Sequence, residues 1–91
     1  MAGTTIKDKI ASGARIIDVR TPAEFRDDAY PRAINIPLAT LPARMHELEP
    51  RTAPIVLYCA SGARSGQAMR FLKLNGFTDV INAGGHDDMP R

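Results

Sequence analysis

The sequence predicts an α/β domain built on a mainly parallel sheet. Short apolar, β-branched runs alternate with stretches of helical period, which is how a sheet interleaved with helices reads. The fullest run, Ile55-Val56-Leu57-Tyr58, is apolar throughout, as a strand covered on both faces must be. Ninety-one residues can sustain one hydrophobic core but not two, so residues 1–91 are expected to form a single domain.

Ile6 and Ile10, four apart, predict a short amphipathic helix that Gly13 ends. Arg15-Ile16-Ile17-Asp18-Val19 reads as a buried strand. Thr21-Pro22-Ala23-Glu24 has the form of a capping box with proline at the first helical position, so a helix is expected there that carries Phe25 inward. Pro31 closes that region. Ala33-Ile34-Asn35-Ile36 predicts a second strand, stopped by Pro37. Leu38, Leu41, Met45 and Leu48 share one face of a third helix whose first turn Pro42 threatens. Pro50 and Pro54 bracket a loop before the central strand at 55–58. Helical period returns over 62–75, with Ser65, Ala68, Met69 and Leu72 on one face and Gly76 as the stop. Val80-Ile81 makes a last strand, and Gly84-Gly85 a turn.

Composition narrows the function classes. Hydrophobic residues make up 44% and charged residues 24%, an ordinary globular balance. The net charge is +2, and the arginines, from Arg15 to Arg91, are scattered among acids. A nucleic-acid surface would need a basic stripe with interleaved aromatics, and the chain has neither, so small anions are the expected partners. No apolar run reaches the ~18 residues that span a bilayer, and Met-Ala-Gly-Thr-Thr does not begin a secretory signal. A cytoplasmic location is expected, without a membrane or nucleic-acid partner. Asp87-Asp88 lacks the companions of a metal site, and neither a metal nor another cofactor is expected.

The chain has one cysteine, which excludes an internal disulfide and a paired-thiol zinc or redox site. A lone cysteine is ordinarily a small buried hydrophobe. Cys59, however, stands where the central strand ends, at the edge where ligands bind in open α/β sheets. Ala60, Ser61, Gly62 and Ala63 are small enough for a tight curl, and Gly62 opens a dihedral region closed to other residues. Such a curl turns successive N–H groups toward one centre, and the helix behind it adds its own unpaired amides and partial positive charge. The thiol of Cys59 would occupy that centre with its pKa lowered from about 8.5 into the range of roughly 3.5–7.5. Arg64 can offer a bidentate fork to an oxyanion at the rim, and Ser65 a hydroxyl hydrogen bond to the centre.

These residues bring a family into view. Cys59-Ala60-Ser61-Gly62-Ala63-Arg64-Ser65 resembles the active-site loop of the rhodanese superfamily, where Cys-x-x-Gly-x-Arg recurs. Ile17-Asp18-Val19-Arg20-Thr21-Pro22-Ala23-Glu24-Phe25 is similar to the family's Asp-Val-Arg…Glu-Phe segment, Ala33-Ile34-Asn35-Ile36-Pro37 to its Ala-x-Asn-Ile-Pro segment, and Asn82-Ala83-Gly84-Gly85 to its late Gly-Gly turn. Four motifs in order, over nearly the whole chain, make the resemblance specific. It implies a three-layer sandwich, with helices on both faces of a small, mainly parallel sheet of about 4–5 strands. It also implies a thiosulfate sulfurtransferase-like enzyme. Cys59 would take a sulfane sulfur from a donor such as thiosulfate, hold it as a persulfide, and pass it to cyanide, a thiol or a protein. Ala60, Ser61, Gly62, Ala63, Arg64 and Ser65 would bind the substrate. The loop has no histidine, and an already ionised nucleophile needs no general base, so neither His46 nor His86 requires a catalytic role.

The chain departs from the family pattern in three places. Asp28-Ala29-Tyr30-Pro31-Arg32-Ala33 stands where many members have Gly-His-Ile-x-Gly-Ala, so Ala29 replaces a histidine and Arg32 a glycine. If that position needs a positive φ, Arg32 must adopt it at some strain or the turn must differ. Met89 stands where an aromatic often follows the Gly-Gly turn. Asp18 is expected to accept loop amides and Arg20 to pair with an acid such as Glu24; His46 is placed on a solvated face, while His86 is near enough to the turn to approach the site mouth. Two other function classes remain open: a cysteine phosphatase or arsenate reductase, and a regulatory sulfur-carrier or docking module. The first uses Cys-x5-Arg, one residue longer than Cys59 to Arg64 here, and non-catalytic modules usually lack the cysteine.

Overall fold

A computed structural model describes the backbone of residues 2–90 and the side chains of residues 6–90; Met1 and Arg91, at the ends of the expected domain, lie outside the described residues. The helices are α1 (Ala2–Ala11), α2 (Pro22–Asp27), α3 (Leu41–Arg44) and α4 (Ala63–Leu74). The strands are β1 (Arg15–Asp18), β2 (Ile34–Asn35), β3 (Ile55–Cys59) and β4 (Val80–Gly85). They form one four-stranded sheet in the order β2-β1-β3-β4, with every neighbouring pair parallel.

β3 is buried at all five positions, and its alternation sends side chains into two cores. Ile55, Leu57 and Cys59 join Ile17, Val19, Leu41, Leu48, Ala68 and Leu72 on the face covered by α4 and the α3 region. Val56 and Tyr58 join Ile16, Ala83 and Met89 on the other face, where Ile6 and Ile10 of α1 pack. This is the expected three-layer arrangement. Met89 fills the place of the expected aromatic as a buried apolar side chain, 2% exposed.

Several elements differ from expectation for identifiable reasons. The capping box of α2 forms, with the Glu24 amide donating to Thr21 Oγ1 (3.2 Å) and the Thr21 amide to Glu24 Oε1 (3.0 Å). However, α2 has no buried residue, and Phe25 is only half-buried. Six residues are fewer than two turns, too few to lay an apolar stripe on the sheet. The third helix is broken into a 3-10 turn at Leu38–Thr40, the short α3 and a second 3-10 turn at Met45–Leu48. Pro42 has no amide to offer Leu38, so the α-helical ladder cannot start there. Leu41 and Leu48 still reach the core, and Leu38 and Met45 pack against it.

β4 runs farther than Val80-Ile81. Gly84 and Gly85, expected in a turn, are its last residues, and Gly85 pairs with Cys59 across a register shift. Arg32 adopts the positive φ that its position demands, 68°. The amide of Ala33 donates to the carbonyl of Tyr30 (3.1 Å), closing a type II β-turn around Pro31 and Arg32. No helix among the described residues is long and apolar enough to cross a membrane.

Candidate active site

β3 delivers Cys59 to the carboxyl edge of the sheet, and Ala60, Ser61 and Gly62 turn the chain into α4. Gly62 makes the reversal with φ at 99°, a left-handed conformation that side chains disfavour. The turn folds the backbone around the sulfur. Cys59 Sγ accepts hydrogen bonds from the amides of Gly62 (3.0 Å) and Ser65 (3.4 Å) and lies 3.3 Å from the Ser65 hydroxyl. Ala63 and Arg64 are in the first turn of α4, where amides have no partner within the helix.

The sulfur is also deeply placed. Cys59 is 1% exposed and belongs to the aliphatic core on the α4 face. The expected cup therefore exists, with Sγ at its floor. Burial pushes the thiol pKa up, but the Ser65 hydroxyl and the amides of Ser65, Ser61 and Gly62 together pull it down further, to about 7. Sulfur at this floor is poised to ionise near neutrality.

β4 braces the cup through contacts that the sequence reading did not assign. Asn82 Nδ2 donates to the Gly62 carbonyl (3.1 Å), and Asn82 Oδ1 accepts from the Gly84 amide (2.9 Å) and the Ser65 hydroxyl (2.7 Å). Ser65 has one hydroxyl proton, so Asn82 and Cys59 compete for it. A Cβ on Gly85 would sit 2.4 Å from the Ala60 carbonyl oxygen, so only glycine lets β4 approach this closely. The one advance signal was a polar residue, Asn82, beside a Gly-Gly pair late in an apolar strand.

Arg20 pairs with an acid, as expected, but that acid is Asp18. Arg20 does not reach Glu24; its Nε and Nη2 close on the Asp18 carboxylate at 2.7–3.1 Å, and Nη2 also donates to the Asp28 carbonyl. Both residues are buried, and Asp18 also accepts the Arg20 amide at 2.8 Å, one of the expected loop amides. A turn that brings residue i+2 over residue i satisfies Asp18 within the loop, leaving Glu24 for another partner. That partner is Arg64, whose Nη1 and Nη2 meet Glu24 Oε1 and Oε2 at 2.8 and 3.1 Å. The guanidinium beside it holds the Glu24 carboxyl at about 2, well below the usual carboxylate range. Arg64 thus stands at the rim, but its fork is engaged by a carboxylate of the protein itself.

His46 is exposed, as expected. His86 does not join the cup; its ring packs on Tyr58, centroids 5.6 Å apart, and lines a cleft of about 360 Å³ with Asp28, Ala29, Tyr30, Pro31 and Pro90. Asp87 and Asp88 are both exposed, and Asp88 Oδ2 also accepts the Gly85 amide at 2.8 Å. An apolar groove of about 260 Å³ lies beside Arg64, between Val19, Thr21, Pro37, Leu38 and Ala39.

Comparison with known proteins gives a consistent result. The profile of the family described as "Rhodanese-like domain" matches residues 3–87. A protein named "Sulfurtransferase" from Allochromatium vinosum is 41% identical over 70 residues, covering 77% of this chain and 64% of that protein. "Thiosulfate sulfurtransferase PspE" of Escherichia coli is 39% identical over 74 residues, covering 80% of this chain and 71% of that one. A solved structure titled "rhodanese with anions from E. coli" superposes with a TM-score of 0.80 at 37% identity, covering 86% of this chain and 95% of that one. The chain thus spans less than two thirds of the Allochromatium relative.

Proposed function

The chain belongs to the rhodanese-like domain family, and on that premise we propose that it transfers sulfane sulfur through a persulfide on Cys59. The observation that carries this reading is the convergence of the Gly62 and Ser65 amides and the Ser65 hydroxyl on one sulfur. Residues 1–91 act as one such domain, a reading supported by the single sheet with a core on each face.

The chemistry follows from the cup. The Cys59 thiolate attacks the outer sulfur of a donor such as thiosulfate. A Cys59 S–S bond forms, the donor's S–S bond breaks, and sulfite leaves with the electron pair. The outer sulfur then lies above Sγ, within the curl of Ala60, Ser61, Gly62 and Ala63 and against the first amides of α4. Donors fixed before the reaction stabilise that anion without reorganising, which is the usual source of oxyanion-type catalysis. An acceptor nucleophile, such as cyanide, a thiol or a protein thiolate, takes the outer sulfur, and the Cys59 thiolate returns. Ser65 and the loop amides hold the sulfur anion throughout. Arg64 can orient the donor only where its pair with Glu24 yields.

Incubation of purified protein with thiosulfate and cyanide is expected to yield thiocyanate, with none above background from Cys59→Ala. Equal turnover by the alanine variant removes Cys59 from the reaction. Hydrolysis of an aryl phosphate at a comparable rate would place the chain in the phosphatase class instead.

A further inference from the structure

Arg64 is the cation of the cysteine loop, and both arms of its fork are held by Glu24. Glu24 is itself positioned in advance: its Oε1 also accepts the amide and the hydroxyl of Thr21, at 3.0 and 3.2 Å, in the capping box of α2. The pair is about one-third exposed on each side (34% and 35%), and Arg64 is close enough to Cys59 for the two charges to act on each other, so the pair stands at the surface beside the cup. Arg20, whose charge also acts on Arg64, is closed on Asp18 in the same way. The groove beside Arg64 adds apolar side chains and the Thr21 hydroxyl, but no further charge.

Resting on the reading of Cys59 as the sulfur carrier, we propose that Glu24 is a specificity-determining residue: by closing the Arg64 fork it selects against anionic donors at the mouth of the Cys59 cup. A free guanidinium at that place attracts any anion that approaches the sulfur. An ion pair fixed by a helix cap does not. A donor with a sulfonate end must either displace Glu24 or rely on the loop amides alone, whereas an uncharged donor meets no such obstacle. Glu24 acts through Arg64 and touches neither Cys59 nor its hydrogen-bond donors.

The test uses two alkylating probes of nearly equal size, iodoacetate, an anion, and iodoacetamide, which is neutral. Their rate ratio at Cys59 reports the charge at the mouth and cancels the hindrance both meet at a buried sulfur. Glu24→Gln keeps an acceptor for the helix cap and frees the fork. Glu24→Ala makes the same charge change in case the glutamine itself holds Arg64. Removing one charge that acts over a distance on the order of 5–10 Å in a water-like dielectric is expected to raise the iodoacetate-to-iodoacetamide ratio about two- to fivefold. The iodoacetamide rate should stay unchanged within about twofold, and the gain should vanish in Glu24→Gln/Arg64→Gln. The KM for thiosulfate should fall with the ratio while kcat holds. An unmoved ratio, or equal acceleration of both probes, overturns the proposal. A shifted ratio in a protein that moves no sulfur would leave Glu24's selection standing and refute the sulfur-transfer reading, so the two failures are distinguishable.

Discussion

At the scale of single residues, Cys59 is set between two opposed effects. The core that buries it disfavours a charge, while the hydroxyl and amides that converge on it favour one, and the donors prevail with a pKa of about 7. The rate of Cys59 alkylation by iodoacetamide should therefore rise with pH to a plateau, with its midpoint near 7. Ser65→Ala, which removes the hydroxyl donor, should move that midpoint upward; a midpoint unmoved by the substitution would remove Ser65 from the thiolate's support. Stability carries the same sign. The folded pKa is depressed from an ordinary 9.0 to about 7, so the contribution is complete above the unfolded value and is lost as pH falls through 7. The unfolding free energy of the wild type relative to Cys59→Ala should thus grow between pH 6 and pH 9, by on the order of 2 kcal/mol.

At the scale of elements, the turn before β2 holds a residue in an unfavourable conformation. Arg32 occupies the third position of a type II turn with φ at 68°, where glycine is favoured, and its side chain is exposed. The left-handed conformation costs an L-residue about 1–2 kcal/mol, and glycine's extra freedom in the unfolded chain returns about 0.5–1 of that. Arg32→Gly should raise stability by about 0.5–1 kcal/mol in denaturant titration; a loss would mean that Arg32 makes a compensating contact. Elements whose local signals agree with their burial were legible from the sequence, as in the apolar run of β3 and the face of α4 that carries Ser65, Ala68 and Leu72; the capping box marked where α2 starts but not how little it buries. Pro42 announced the interruption near residue 42, but not the 3-10 turns on either side, because a proline marks where a ladder fails and not what replaces it. The end of β4 was hidden, since Gly84 and Gly85 have turn propensity and become strand only by pairing beside Cys59.

At the scale of the whole molecule, the site joins four segments distant in sequence: the end of β3, the start of α4, the end of β4 and the cap of α2. The cup itself was legible, because strand, small-residue curl and helix follow one another within seven residues. The bracing by Asn82 and the engagement of Arg64 by Glu24 were not, since they span 17 to 40 residues and no local pattern fixes such partners. On the proposed reading, the ends of β3 and β4 and the start of α4 hold one outer sulfur above a buried one, while the cap of α2 sets the charge at the mouth through Arg64. The most direct test is the mass of the intact protein after thiosulfate treatment and removal of excess donor, followed by peptide mapping. A gain of about 32 Da, one sulfur atom, should appear on the peptide containing Cys59, vanish on addition of cyanide, and be absent from Cys59→Ala. An unchanged mass, or the same gain in the alanine variant, would contradict the account.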